Sequence, residues 1–275
     1  MLKRYYKISC LGGCTVDDYV SLKKKKPGGG GLNASVHFKK ILPTAKISVL
    51  GAIGKDKNSS VILKACKNYA ILTSNLQLLN GKTSIQHIKN DSSGEKVFFN
   101  FVAGVIDVAK PTPDDLSFLA TQDLLLGVLF TQIEPFLKSV IKRKWPGKVA
   151  IDFMSLADYN YSTEIVKNYI NNFDIGFLGL SNVKPDLIYQ VTDLAKKYKK
   201  LLVVTLAEKG SLAFIGNKKY QQNAMPVKKI VDTTGAGDAF ISAFLSEHLQ
   251  SRNVAKSLYQ GSVYASKIIQ KYGAI

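Results

Sequence analysis

The sequence predicts an α/β protein with a mostly parallel central sheet that helices cover on both faces. Short apolar runs recur along the chain, and stretches with helical spacing separate most of them. Strands that alternate with helices are typical of parallel sheets, and such strands are continuously apolar because both faces are buried. With 275 residues, of which 46% are hydrophobic, the chain can form one large α/β domain.

Each element follows from one of these runs. The predicted strands are residues 6–11, 47–53, 123–130, 149–153, 173–180 and 201–206. The predicted helices are residues 59–69, 133–144, 162–170 and 187–198, together with a helix that starts at PDDLSFL, where acidic residues occupy the first turn. Ligands of such a fold are expected beyond the carboxyl ends of the strands.

Two segments interrupt this alternation. Residues 82–105 alternate polar and apolar positions around the sequence NDSSGE, which predicts an antiparallel hairpin. Residues 15–31 combine an extended TVDDYVSL segment with KKKKPGGGG, which we expect to be a flexible loop. Together the two segments are expected to form a small sheet that acts as a lid on a single domain of residues 1–275.

Lysine supplies nearly all of the positive charge. The formal net charge is +18, yet arginine occurs only at Arg4, Arg143 and Arg252. Base reading and bidentate phosphate contacts rely on arginine, so a solvated lysine-rich surface is favoured over nucleic-acid binding. A small anionic substrate is compatible with this charge.

Cysteine usage indicates a reducing compartment. Cys10, Cys14 and Cys66 match no zinc-binding spacing and give no even disulfide framework. No apolar stretch is long enough for a signal peptide or a membrane span. We therefore expect a cytoplasmic protein without membrane or nucleic-acid partners.

The segment VDTTGAGDAF, residues 231–240, carries the strongest functional signal. PVKKIV before it is a predicted strand and DAFISAFLSEHL after it a predicted helix, so Gly235 to Gly237 should begin the helix. Amides at a helix start favour an anion, and glycine lets it approach closely. Asp238 would repel that anion unless it accepts a proton from an incoming hydroxyl. Alternatively, Asp232 and Asp238 are ordinary helix-start residues.

The segment lacks the Lys-Ser/Thr ending of a P-loop and the third glycine of a dinucleotide fingerprint. Instead, DTTGAGDAF closely resembles the C-terminal signature of the ribokinase-like (PfkB) carbohydrate kinases. GGCTVDDY, GGGGLNASV, VLGAIGKD and VVTLAEKGSLAF resemble further segments of that family, so the resemblance extends over the whole chain. Within the family, EKVFFNFVAGVIDV, AIDFMS and ASKIIQKYGAI are most similar to fructoselysine 6-kinases, which phosphorylate the sugar part of a glycated lysine.

The resemblance implies a role for each matching residue. Asp238 would be the general base, and the amides of Gly235, Ala236 and Gly237 would bind the transferring phosphoryl group. The sugar would be held by Asp17, Gly29 and Asn33, and the nucleotide by Thr205, Gly210, Gly235 and Gly237. Asp232 and Thr234 would bind a monovalent cation such as K⁺, and Mg²⁺ would bridge the β- and γ-phosphates of ATP.

Some positions depart from the family pattern. Gly13 replaces an expected aspartate, Gly30 stands where the family has asparagine, and Ala103 replaces an acidic lid residue of the fructoselysine 6-kinase subgroup. Ala207 replaces a glycine of the nucleotide strand motif, and the family's asparagine-x-x-glutamate motif has only loose candidates in Asn182 and Asp186. The first three changes remove polar contacts around the sugar. The missing motif bears on how magnesium is organised.

The expected function is therefore transfer of the γ-phosphoryl group of ATP to a hydroxyl of a small sugar or a sugar–amine adduct such as fructoselysine. A fructokinase or another ketose or pentose kinase is the alternative enzyme. A catalytically weak nucleotide- or sugar-binding sensor is the alternative from another class. A homodimer through the lid is also expected, although the apolar side chains of the hairpin, Val97, Phe98, Phe99 and Phe101, could equally cover the sugar.

Overall fold

A computed structural model describes residues 5–90, 96–180 and 185–275. Its strands are Lys7–Leu11 (β1), Thr15–Tyr19 (β2), Lys24–Gly28 (β3), Lys46–Gly54 (β4), Leu76–Leu79 (β5), Ile85–Asn90 (β6), Lys96–Val102 (β7), Leu124–Val128 (β8), Lys148–Asp152 (β9), Ile175–Gly179 (β10), Leu201–Thr205 (β11), Ser211–Ile215 (β12) and Lys218–Gln222 (β13). Its α-helices are Gly30–Ile41 (α1), Ser59–Asn68 (α2), Pro113–Leu119 (α3), Glu134–Ile141 (α4), Glu164–Tyr169 (α5), Pro185–Tyr198 (α6), Ala236–Ser251 (α7) and Val254–Ile268 (α8). Within these described ranges, no helix combines the length and the apolar character that crossing a bilayer requires.

The main sheet has the strand order β13-β12-β11-β10-β9-β8-β1-β4-β5. Neighbouring strands from β5 to β11 are parallel, whereas β12 and β13 are antiparallel strands at one edge. The chain order reverses at β1, because β4 and β5 extend to one side of it and β8 to β11 to the other. Ligands of open α/β sheets bind at such a reversal, beyond the carboxyl ends of the strands.

Apolar side chains cover both faces of the main sheet. Along β8, Leu125 belongs to one core cluster, and Leu124 and Leu126 belong to the other, because successive residues of a strand point to opposite faces. The first cluster includes buried residues of α3, α4, α5 and α6, and the second includes those of α1, α2, α7 and α8. The predicted arrangement of helices on both faces is confirmed.

The small sheet has the order β3-β2-β6-β7. The pairs β2–β3 and β6–β7 are antiparallel, whereas β2 and β6 are parallel. Thr83, just before β6, connects this sheet to the main one: its hydroxyl donates to Asp56 Oδ1 at 2.6 Å and accepts from the Gly54 amide at 3.0 Å. The Thr83 amide also donates to Asp56 Oδ2 at 3.0 Å. A short polar cluster therefore fixes the point where the chain leaves the main body.

The predicted elements are confirmed, with three corrections. KKKKPGGGG is not a flexible loop, because Lys24–Gly28 pairs with β2 and α1 begins directly at Gly30. Residues 20–22 form a 3₁₀ turn instead of continuing the extended segment. PVKKIV is not a strand, since the Val231 and Asp232 amides donate to Ile269 O at the end of α8. Most of the NDSSGE turn, residues 91–95, lies outside the described residues.

Candidate active site

Gly235 shapes the start of α7. It is the N-cap residue with φ = 76°, and a β-carbon there would lie 2.7 Å from Ala274 Cβ, so both backbone conformation and packing require glycine. Nothing lies within 4 Å of a β-carbon placed on Gly237, so the surface beside it is open. The Ala236 amide donates to Thr233 O at 3.1 Å. The Ala236 amide is therefore engaged within the turn, and phosphoryl binding by the amides of Gly235, Ala236 and Gly237 stays a prediction.

Asn33 holds the Asp238 carboxyl group. Asn33 lies in the first turn of α1 and is only 4% exposed, and its Nδ2 donates to Asp238 Oδ2 at 2.9 Å. Asn33 Oδ1 is buried and has no hydrogen-bond partner within the described part of the chain. A buried acceptor without a donor is costly, so this oxygen is suited to a ligand hydroxyl.

The environment of Asp238 favours its protonated form. The residue is partly exposed, yet its carboxyl group is desolvated, and this burial is the largest cause that raises its pKa to about 7. The Asn33 hydrogen bond lowers the pKa, whereas the negative charges of Asp152 and Asp17 raise it. A carboxyl group that titrates near neutral pH is suited to accept a proton in catalysis.

Asp17 approaches the same place from the small sheet. It is 5% exposed on β2, and Thr15 Oγ1 donates to its Oδ1 at 3.3 Å. A β-carbon on Gly28 would lie 2.2 Å from Asp17 Oδ1. Gly29 has φ = 89°, and a β-carbon there would lie 2.4 Å from Gly13 O. The glycine run therefore lets Asp17, Gly29 and Asn33 converge close to Asp238, and sugar binding by these three residues stays a prediction.

Gly30 and Gly13, two departures from the family pattern, have steric consequences. A β-carbon on Gly30 would lie 2.8 Å from Val128 Cγ1 and 3.2 Å from Asp238 Oδ1, so glycine leaves room for the carboxyl group. A β-carbon on Gly13 would lie 3.4 Å from the Phe130 ring. Phe130 meets Phe101 of the small sheet edge to face, with 6.0 Å between ring centroids. An aromatic pair therefore joins the two sheets beside the glycine run.

Asp152 is a site residue that sequence reasoning missed. It ends β9, pairs in register with Val128 and is 8% exposed. Burial raises its pKa to about 6, although the Met154 amide, which donates to Oδ1 at 2.9 Å, lowers it. The available signal was an aspartate at the carboxyl end of a buried parallel strand.

The predicted nucleotide-side residues lie farther along the same sheet edge. Thr205 ends β11 beside Gly179 of β10. Gly210 has φ = 89°, and a β-carbon there would lie 2.1 Å from Gln222 O, so the turn itself requires glycine. Ala207, which replaces a family glycine, has φ = 50°. Nucleotide binding by Thr205 and Gly210 stays a prediction; Asp186 is exposed, and Asn182 lies outside the described residues.

Asp232 is buried, at 2% exposure, behind the start of α7. Its Oδ1 accepts the Thr234 amide at 2.9 Å and its Oδ2 accepts the Gly273 amide at 2.8 Å. The described residues contain no group of three or more His, Cys, Asp or Glu side chains arranged to hold a metal ion. Both oxygens of Asp232 thus accept backbone amides, and binding of a monovalent cation at Asp232 and Thr234 stays a prediction.

Comparison with known proteins identifies the family. A model of pfkB family carbohydrate kinases matches residues 12–145 and 173–275. The chain belongs to this family. It is therefore a carbohydrate kinase, a phosphotransferase with an alcohol acceptor, and the predicted family and enzyme class are confirmed.

Individual relatives of this pfkB kinase are distant but cover nearly the whole chain. A fructosamine kinase of Bacillus subtilis is 24% identical over 98% of this chain and 92% of that protein. A fructoselysine 6-kinase of Escherichia coli K12 is 23% identical over 97% of this chain and 98% of that protein. The structure of Arabidopsis thaliana ribokinase complexed with ribose and ATP is similar at a TM-score of 0.80 and 22% identity, over 98% and 95% of the two chains. That structure supports the ribokinase-like fold.

Proposed function

We propose that this pfkB kinase transfers the γ-phosphoryl group of ATP to a hydroxyl of a sugar that carries an amine adduct, of the fructoselysine type. One observation carries the proposal. The desolvated Asp238 carboxyl group, with its pKa near 7, lies in the first turn of the helix whose start offers the Gly235 and Gly237 amides. A base and an anion-binding helix start side by side are what phosphoryl transfer to an alcohol needs.

Residues of this chain would accept the proton of the acceptor hydroxyl and stabilise the negative charge of the transferring phosphoryl group. Asp238 accepts the proton of the acceptor hydroxyl as the sugar oxygen bonds to the γ-phosphorus, and the bond from that phosphorus to the β-γ bridging oxygen breaks to release ADP. Asn33 Nδ2 fixes the carboxylate, and Asn33 Oδ1 accepts from a second sugar hydroxyl. The helix-start amides stabilise the charge of the transferring group. Magnesium that enters with the nucleotide would neutralise charge on the β- and γ-phosphates.

Two observations support a sugar–amine adduct over a simple sugar. The relatives reported above include a fructosamine kinase and a fructoselysine 6-kinase. Beside Gly13, the Phe101–Phe130 pair supplies an apolar surface. The methylene chain of an adducted amine can pack against such a surface, whereas a free hexose has little apolar area to bury.

A panel of acceptors tests the proposal. ADP release from ATP is measured with fructoselysine, fructose, ribose and a nucleoside at equal concentration. Fructoselysine is expected to give the largest kcat/KM. A preference for fructose or ribose would contradict the proposed substrate class but not the kinase activity. Binding of ligands without turnover would support the sensor alternative.

Variants of the hairpin sharpen this test. Phe101→Ala should raise the KM for fructoselysine more than the KM for fructose, because only fructoselysine has a methylene chain that packs against the Phe101 ring. Phe99→Ala is the matched control, since Phe99 lies on the same strand but contacts His87, with 5.8 Å between ring centroids. Equal effects of Phe101→Ala on both substrates would contradict the apolar contact.

We also propose that the small sheet acts as a lid and mediates dimer formation. Phe98 on β7 is 54% exposed, and Leu22 beside β2 is 50% exposed. Apolar side chains at the surface of a sheet suit contact with a second copy. Light scattering at micromolar concentration is expected to give the mass of a dimer for the wild type and that of a monomer for Phe98→Lys.

A further inference from the structure

The Lys26 side chain links the small sheet to the segment that follows α8. Its ammonium donates to Tyr272 O at 3.2 Å and lies 4.1 Å from the centroid of the Tyr272 ring. A β-carbon on Gly273 would lie 2.9 Å from Lys26 Nζ. A carbonyl oxygen and an aromatic face are both favourable neighbours of a cation, so the ammonium is fixed at this place.

The same segment holds Asp232. The Gly273 amide, next to the Lys26 ammonium, donates to Asp232 Oδ2 at 2.8 Å. The pKa values of Tyr19 and Tyr272 are both raised, first by burial and second by the negative charge of Asp232. The rings of these two tyrosines lie 5.3 Å apart. The Tyr272–Gly273 backbone therefore connects the partly exposed Lys26 ammonium to the buried Asp232 carboxylate, behind the helix start that is proposed to bind the phosphoryl group.

A buried carboxylate needs compensating charge as well as hydrogen bonds. Sequence resemblance assigns that charge to a monovalent cation at Asp232 and Thr234. The structure offers a side-chain cation instead, tethered to β3 and in contact with the carbonyl oxygen that precedes Gly273.

We propose that the Lys26 ammonium supplies the positive charge beside Asp232 that a bound monovalent cation would otherwise supply, so that this kinase works without added K⁺. The inference rests on the proposed function for its activity readout. Lys26 acts here as a positioning residue: it stabilises Asp232 and the loop that leads to Gly235, and touches neither sugar nor nucleotide.

The wild-type enzyme gives the first test. Turnover is measured in a buffer whose only added cations are tetramethylammonium and Mg²⁺, and then during a titration with K⁺. Wild-type kcat is expected to change by less than about twofold, because a tethered charge leaves no cation to be bound. Activation of the wild type by K⁺ of about tenfold or more would overturn the proposal.

Lys26→Met gives the second test. This variant is expected to lose about tenfold in kcat without K⁺, as for a buried charge left without compensation, and to regain activity with K⁺ or NH₄⁺. Lys25→Met is the matched control, since Lys25 Nζ donates to Asn58 Oδ1 at 3.0 Å, away from Asp232, and should show no cation dependence. Lys26→Arg, which keeps the charge, should remain independent of K⁺.

A thermal readout separates this proposal from the proposed function. The melting temperature of Lys26→Met should rise with K⁺ relative to tetramethylammonium, whereas those of the wild type and Lys25→Met should not. This holds even if the enzyme phosphorylates none of the sugars tested. Lys26 also faces Asp17 in the register of β2 and β3. If Lys26→Met had a higher sugar KM and no response to cations, Lys26 would act through Asp17 at the sugar site, which would contradict the proposal.

Discussion

The main sheet and the small sheet contribute differently to the site. The main sheet is covered on both faces, and it places Asp152 at its carboxyl edge and Asp238, the proposed base, on a helix packed against it. The small sheet has four strands, against nine in the main sheet. Two successive residues of β2 differ in their surroundings: Asp17 is buried near the site, whereas Asp18 lies beside His87 in the neighbouring strand. If Asp238 is the base and Asp17 binds the sugar, as proposed, substitution of Asp238 should affect mainly kcat and substitution of Asp17 mainly KM.

Removing the base is the strongest way to isolate the contribution of the main sheet. Asp238→Asn should lower kcat by about 10²–10⁴ because the proposed acceptor of the hydroxyl proton is lost. The KM for the sugar should change little, since the amide still meets Asn33. Steady-state kinetics with the preferred acceptor measures both constants. Near-normal turnover would exclude Asp238 as the base.

The same variant should be more stable than the wild type at alkaline pH. In the folded protein the pKa of Asp238 is about 7, above its ordinary value of 3.8, so ionisation costs stability as pH rises through about 7. At pH 8, Asp238→Asn avoids this cost and is expected to melt about 2–4 °C higher, whereas at pH 4 the two proteins should melt together. A lower melting temperature at pH 8 would show that the carboxylate stabilises the fold.

The next largest effect should come from the small sheet. Asp17→Asn is expected to raise the sugar KM by about tenfold or more, through loss of a buried charged acceptor worth about 1.5–3 kcal/mol, with a smaller change in kcat. Asp18→Asn is the control on the same strand, because Asp18 Oδ2 lies 3.3 Å from His87 Nδ1 and away from the site. If both variants bound sugar equally well, the small sheet would have no part in recognition.

Asp152 allows a finer test within the main sheet. Its negative charge raises the pKa of Asp238, so Asp152→Asn should lower that pKa and move the acid limb of the kcat profile to lower pH. Activity at pH 6, relative to the plateau, should then increase by a few-fold. The profile is measured between pH 5 and 9. A limb that stays in place would mean that the two carboxyl groups do not interact.

The smallest effect should come from the connection between the sheets. Thr83→Val keeps the shape of the side chain but removes the hydroxyl that joins Gly54 and Asp56. A loss of about 1–2 kcal/mol in the free energy of unfolding is expected, with kcat unchanged. Urea denaturation and kinetics measure the two quantities. A marked fall in kcat would show that the position of the small sheet also matters for chemistry.

The sequence predicts the six inner parallel strands of the main sheet because they are buried on both faces, which makes them continuous apolar runs. It misses β12 and the two edge strands, β5 and β13, which are partly exposed. It predicts the small sheet less well, since β3 is rich in lysine and forms an edge of its sheet. For PVKKIV the prediction was wrong in the opposite direction. The segment contains apolar residues but is not a strand, and its Ile230 is 60% exposed. Apolar patterns report burial, and edge strands lack the burial that would produce the pattern.

The candidate site shows the same division. Gly235 and Asp238 were predictable because a helix start with glycines and an acid has a recognisable spacing. The engaged Ala236 amide and the role of Gly30 depend on contacts between distant segments, with Thr233 O inside the turn and Val128 across the fold. Asp152 was missed because a single aspartate after a strand is common. Such features need the three-dimensional arrangement.

The segment after α8 has a practical consequence for anyone who produces this enzyme. Ala274 packs against Gly235, and its carbonyl oxygen lies 2.9 Å from His37 Nε2 inside the protein. A larger side chain at Ala274 would push against Gly235 at the start of α7. Protein engineered for purification or labelling should therefore keep Ala274 and its neighbours unchanged.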